Sequence, residues 1–163
     1  MRPADLPRCP GGWRKQMGDS LMRTCRSCGA ENRVPGKHLA SKGRCGQCKA
    51  ELPPIAEPID ADPGIFTQVV TSATVPVLID FWAAWCGPCR AAAPFVRSVA
   101  ADMAGRAIVL KVDTDRYPEL AERYGVMGIP NFVVLKNGRV VTQQAGLADP
   151  RQIRRWLESA EAA

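Results

Sequence analysis

Six of the seven cysteines in this 163-residue chain form three Cys-x-x-Cys pairs: Cys25/Cys28, Cys45/Cys48 and Cys86/Cys89. Such a pair does one of two things. It gives two thiolates to a metal, or it exchanges two electrons by making and breaking a disulfide. The first two pairs follow C-x2-C-x16-C-x2-C, the spacing of a four-cysteine zinc site in which each pair is a knuckle aiming two sulfurs at one tetrahedral ion. Gly29 and Gly46 give the knuckles turn freedom. Two disulfides, or free thiols, are the alternatives. The segment has almost no apolar residues, so one structural zinc ion per chain would supply its folding free energy. His38 lies mid-loop, off the ligand rhythm, and reads as a solvated residue.

The third pair sits in "VLIDFWAAWCGPCRAAAPF", and no second pair accompanies it to complete a four-ligand site. An apolar run ends just before Cys86 and a helical pattern starts just after it. A helix N-terminus presents free N–H groups and partial positive charge, which favour thiolate over thiol. Cys86 therefore reads as the nucleophile. Cys89, one helical turn on, reads as the resolving thiol that closes the disulfide. Pro88 suits the first helical turn, and Gly87 leaves room for a partner's backbone.

Outward from the dithiol, the elements that must hold it alternate between strand and helix. "EPIDA" is expected as a first strand and "PGIFTQVVTS" as a helix opening at Pro63. "PVLIDFWA" and "AIVLKVD" are continuous apolar runs, as in strands buried on both faces. A helix from about residue 87 places Ala92, Phe95, Val96, Val99 and Met103 on one face, with Pro94 kinking it. "YPELAERYG" is a short helix ended by Gly125. "NFVVLKNGRVVTQQ" is a hairpin around "NG". Asp149 and Pro150 open a last helix with Ile153, Trp156 and Leu157 on one face. The order β-α-β-α-β-α-β-β-α gives an α/β fold: a central mixed sheet flanked by helices, behind a small N-terminal zinc ribbon.

Residues 57–163 resemble a thioredoxin, on "DFWAAWCGPC", "KVDTD", "YGVMGIPNFVVLKNG" and "AGLADP" taken in order. With "RTCRSCGAENRVP" and "GRCGQCKAEL" ahead of it, the chain resembles the second, zinc-bearing type of bacterial thioredoxin. The resemblance implies a protein-disulfide reductase re-reduced by an NADPH-dependent thioredoxin reductase, with no bound organic cofactor. It implies that Trp85 shields the site and touches the partner. It implies that Asp80, a carboxylate in an apolar strand whose burial should raise its pKa, moves the proton of Cys89 with Lys111 nearby. On the residues alone Asp80 reads equally as a structural group. The resemblance also implies a cis bond before Pro130 and a backbone at Ile129 that pairs with an extended substrate. Trp85, Gly87, Pro88, Ile129, Pro130 and Gly146 then form a flat apolar docking face. Trp82 reads as core, and Lys111 alone as a surface strand residue. Two positions depart from the family: Asn131 stands where Thr usually follows the cis-proline, and Ala84 where many relatives have Glu or Pro.

The chain divides into a tail at 1–21, expected to be disordered, the ribbon at 22–50, a Pro-rich linker at 51–58 and the thioredoxin domain at 57–163. The tail carries the odd Cys9, and Met17 or Met22 is an alternative start. Residues 1–54 hold eleven Lys/Arg against four Asp/Glu; the remainder is nearly neutral. That asymmetry supports a second reading, a zinc-ribbon binding module or redox-sensing scaffold that docks a protein or nucleic acid. Few aromatics accompany the charge, so nucleic acid is the lesser expectation. No apolar run is long enough to span a membrane and no export signal is visible, so the cytoplasm is expected; the resemblance to thioredoxins implies a monomer.

Overall fold

In the computed structural model the structure describes residues 13–15 and 20–163. Cys9 and Met17 lie outside those residues. Three short strands open the chain: Trp13–Lys15 (β1), Ser20–Thr24 (β2) and Glu31–Pro35 (β3), in antiparallel order β1-β2-β3. Residues 13–15 and 20–21 of the expected disordered tail thus lie in strands, and the rest of it lies outside the described residues. The backbone of β2 is paired on both edges, and Leu21 is buried. Polar composition hid the strand because a single anchoring leucine carries no periodic signal.

A 3-10 turn (Gly36–His38) and the small hairpin Gly43–Arg44 (β4) with Glu51–Leu52 (β5) complete the ribbon. The second module follows as Ile59–Asp60 (β6), Pro63–Ser72 (α1), Val77–Trp82 (β7), Gly87–Asp102 (α2), Ile108–Asp113 (β8), Pro118–Arg123 (α3), Asn131–Lys136 (β9), Arg139–Ala145 (β10) and Pro150–Glu161 (α4). Its sheet runs β10-β9-β7-β8-β6. β6 and β7 lie parallel to β8, while β9 is antiparallel to both β7 and β10. Buried central strands with helices on both faces explain the continuous apolar runs.

The local signals act through definite bonds. Asp62 caps α1 by accepting from the Ile65 N–H at 2.8 Å, and Asp149 caps α4 by accepting from Gln152 at 2.9 Å. Proline follows each cap, where its missing donor costs nothing. Asn137 and Gly138 both have positive φ, the conformation that a two-residue hairpin turn requires. Along β7 the side chains alternate. Ile79 and Phe81 enter one core with Phe66, Val69 and Leu120, and Leu78 enters the other with Val96, Val99 and Leu157.

The ribbon is not a separate bead on a linker. Leu21, Leu39 and Ile55 are each at most 2% exposed and join the cluster of Ile59, Phe66, Val69 and Leu110. The Ile55 N–H donates to the Leu39 carbonyl at 2.9 Å, tying the Pro-rich segment to the ribbon. Burying side chains of this size contributes roughly 2 kcal/mol each. Gly36 lies against α1, where a Cβ would run into the Ser72 hydroxyl and come 3.3 Å from the Gln68 carbonyl oxygen.

Candidate functional site

Cys86 is the N-cap of α2, and its Sγ accepts the Cys89 backbone N–H at 3.2 Å. β7 delivers it: the strand ends at Trp82 and the chain turns through Ala83–Trp85 into the helix. The two sulfurs form a disulfide, with Cα atoms 5.2 Å apart. Both cysteines are buried, beside Ala83, Trp82 and Ile129. Once the disulfide opens, the Cys89 N–H and the positive end of the helix favour negative charge on Cys86. Gly87 has open space where a side chain would stand.

Facing this cap is the segment between α3 and β9. The Ile129–Pro130 peptide is cis, and the Ile129 carbonyl oxygen lies 3.8 Å from Cys86 Sγ. The Gly146 N–H donates to the Pro130 carbonyl at 2.8 Å, so the loop after β10 meets the same segment. Trp85 is 68% exposed, and its indole Nε1 donates to the Asp115 carboxylate at 3.0 Å. Sequence reasoning missed Asp115, although it stands inside "KVDTD". It also missed Met127 and Leu147, which are 97% and 54% exposed next to the expected docking residues. Their only signal was an apolar residue in a glycine-bearing loop.

On the strand that leads to the dithiol, Asp80 is 2% exposed and shares a face of β7 with Leu78 and Trp82. Its Oδ1 has no hydrogen-bond partner. Burial pushes the carboxyl up to about 7, against the opposing pull of Lys111. Lys111 is the cross-strand neighbour of Asp80 on β8, and its Nζ stands 4.4 Å over the Trp82 ring. Trp82 is half-buried and leaves its own Nε1 unpartnered. A buried carboxyl that titrates near neutrality can take or give a proton at working pH.

In the ribbon the four remaining described cysteines converge. Their sulfurs all lie within 4.8 Å of one another. Cys25 and Cys48 are 3.6 Å apart, and Cys28 and Cys45 are 3.7 Å apart. A tetrahedral ion with metal–sulfur bonds near 2.3 Å needs sulfurs about 3.8 Å apart, so the set fits zinc. A disulfide needs about 2 Å, which rules out that alternative in this form of the chain. Backbone N–H groups point at the sulfurs. The Cys48 N–H, the Asn32 amide and the Gln47 N–H hold the Cys45 thiol down at about 6. Against the Ala50 N–H, which favours its thiolate, Cys28 and burial push Cys48 up to about 11. Four thiolates this close repel one another, and a cation among them offsets that repulsion. Asn32 Nδ2 contacts Cys45 Sγ at 3.5 Å while its Oδ1 accepts from Gly46 at 2.8 Å, linking the sulfur to β3. His38 is exposed and outside this cluster.

Comparison with known proteins finds a match for each of the two modules. A family model described as Thioredoxin matches residues 57–159, and one described as Thioredoxin 2, N-terminal, matches residues 24–50. Thioredoxin C-3 of Corynebacterium nephridii is 37% identical over 138 residues, covering 85% of this chain and 94% of that one. Thioredoxin 1 of a Nostoc species is 42% identical over 93 residues, covering 57% and 87%. A solved mutant thioredoxin from Halobacterium salinarum is similar with a TM-score of 0.58 at 35% identity, covering 65% of this chain and 92% of that one. The chain therefore belongs to the thioredoxin family, as a protein-disulfide reductase that carries a zinc-ribbon module ahead of its dithiol.

Proposed function

We propose that the Cys86–Cys89 dithiol reduces disulfides in cytoplasmic proteins and is itself re-reduced by an NADPH-dependent thioredoxin reductase. The observation that carries this reading is the disulfide at the α2 cap, facing the Ile129 carbonyl at 3.8 Å. Cys86 thiolate attacks one sulfur of the substrate disulfide, forming a mixed disulfide and releasing the first substrate thiolate. Cys89 gives its proton toward Asp80 and attacks Cys86 Sγ, which expels the second. Two electrons pass to the substrate, and the protein is left in the oxidised form described above. Trp85, Gly87, Pro88, Ile129, Pro130 and Gly146, with Met127 and Leu147, receive the substrate segment, whose backbone pairs with Ile129 as an added strand would. Lys111 moderates the charge of Asp80. The test is NADPH-dependent turnover of a protein disulfide with thioredoxin reductase; absence of turnover by the intact dithiol overturns the reading.

The reducing cytosol suits a chain with a reactive dithiol and four thiols held free of disulfides. Among the described residues, no helix is long and apolar enough to cross a membrane. We propose that the chain acts as a monomer, as its resemblance to thioredoxins implies.

Cys25, Cys28, Cys45 and Cys48 hold one structural zinc ion per chain. When bound, zinc would cross-link the two knuckles with all four positions filled; the residues orient four thiolates on two knuckles and keep them from pairing. Metal analysis of reduced protein should give one zinc per chain, and Cys45→Ser should drop it below half with a lower melting temperature. Full zinc retention in Cys45→Ser sinks this ligand set.

A second reading concerns the ribbon surface. Arg23, Arg33, His38, Lys42 and Arg44 line one groove whose lining contains no carboxylate, which favours docking of an acidic partner. Binding of an acidic peptide that weakens steeply between low and moderate salt would support it. No retention at low salt would remove it.

A further inference from the structure

Gln143 lies on β10 and is exposed. Its Nε2 donates to the Tyr124 carbonyl at 2.8 Å and to Asn131 Oδ1 at 3.3 Å. Tyr124 is the C-cap of α3, and Asn131 is the first residue of β9 and 5% exposed. The residues between them, Gly125–Pro130, carry the Ile129 carbonyl and the exposed Met127. One amide thus joins both ends of the loop that faces Cys86. Asn131 is the position where this chain departs from the threonine of its family, and its carboxamide supplies the acceptor that Gln143 uses.

We propose that Gln143 is a positioning residue for protein-disulfide reduction, clamping the ends of the Gly125–Pro130 loop so that the Ile129 carbonyl meets an incoming peptide backbone in place. The inference rests on the reductase reading above. A loop already ordered in the free protein does not lose that freedom on binding. Releasing the clamp weakens capture of a substrate that uses the loop and leaves sulfur chemistry alone. A small disulfide with no peptide backbone cannot use the Ile129 carbonyl in this way, so it is the internal control.

The experiment follows single turnovers of the reduced full chain by tryptophan fluorescence, with insulin and with bis(hydroxyethyl) disulfide. Loss of two neutral hydrogen bonds in Gln143→Ala should slow the reaction with insulin by about three- to tenfold and leave the small disulfide unchanged. Gln143→Glu keeps the length but faces two oxygens without a donor, and should be as slow as Gln143→Ala. Gln143→Lys restores a donor that can reach both oxygens and should recover most of the rate. Equal slowing on both disulfides, or wild-type rates with insulin in Gln143→Ala and Gln143→Glu, overturns the clamp. Failure of the unaltered chain to reduce either disulfide overturns the reductase reading instead, so the two failures are distinct.

Discussion

Cys86→Ser is expected to abolish disulfide reduction, and Cys89→Ser to stop it one step later. The two thiols occupy different places on α2. Cys86 is the cap residue, with the Cys89 N–H at its sulfur and the Ile129 carbonyl beside it, whereas Cys89 is inside the first turn. The cap residue stands in the chain between Trp85, which is exposed, and Gly87, beside which there is open space. Serine has no thiolate to offer at neutral pH, so Cys86→Ser should lose at least about a thousandfold in rate. Cys89→Ser still permits the first attack and should accumulate the covalent protein–substrate mixed disulfide. Intact mass spectrometry after mixing with a protein disulfide separates the cases. A stable adduct on Cys86→Ser, with none on Cys89→Ser, would reverse the assigned roles.

Asp80→Asn should slow turnover while making the fold more stable at alkaline pH. Burial raises the carboxyl from 3.8 to about 7, against Lys111. Between those values the folded state keeps a proton that the unfolded chain has lost, so stability falls as pH rises through the window. The whole shift corresponds to about 4 kcal/mol. Asparagine does not titrate, so its advantage over aspartate in urea unfolding should grow by about 3 kcal/mol from pH 5 to pH 8. The same substitution removes the proton acceptor for Cys89, and decay of the mixed disulfide should slow by about a hundredfold. In the unaltered chain that decay should accelerate as Asp80 ionises near pH 7; in Asp80→Asn this rise should vanish. An advantage of asparagine that stays constant with pH would exclude a raised carboxyl.

The dithiol, the four-sulfur cluster and the order of strands and helices from β6 to α4 were legible because each rests on short-range rules. Proline after an aspartate cap, "NG" between two apolar runs and Cys-x-x-Cys at a strand end describe neighbouring residues. Pro94 does lie inside α2. Phe95 shows where the reading slips: it was expected in the core but is only half-buried. Cys89 and Ala100 are buried instead. They lie about 60–80° round the helix from Ala92 on one side, and Phe95 about 60° on the other. Periodicity sets a stripe's width, and tertiary contact decides which edge is covered. Asp115 under Trp85 and Gln143 across the Gly125–Pro130 loop were illegible for a related reason. Each acts on a residue far off in sequence, through a contact that only the folded sheet creates.

The shared apolar cluster of Leu21, Leu39 and Ile55 with Phe66 and Val69 bears on how the chain can be cut and grafted. The two family matches leave a gap at residues 51–56 that invites a cut. Physically the seam is elsewhere, for a cut there strips the apolar cover from the α1 side of the sheet and leaves a sticky face on one fragment. Transplanting the metal module onto another redox domain would likewise need a host whose first helix accepts Leu39 and Gly36. The two sulfur centres differ in chemistry, but they are passengers on a single packed body.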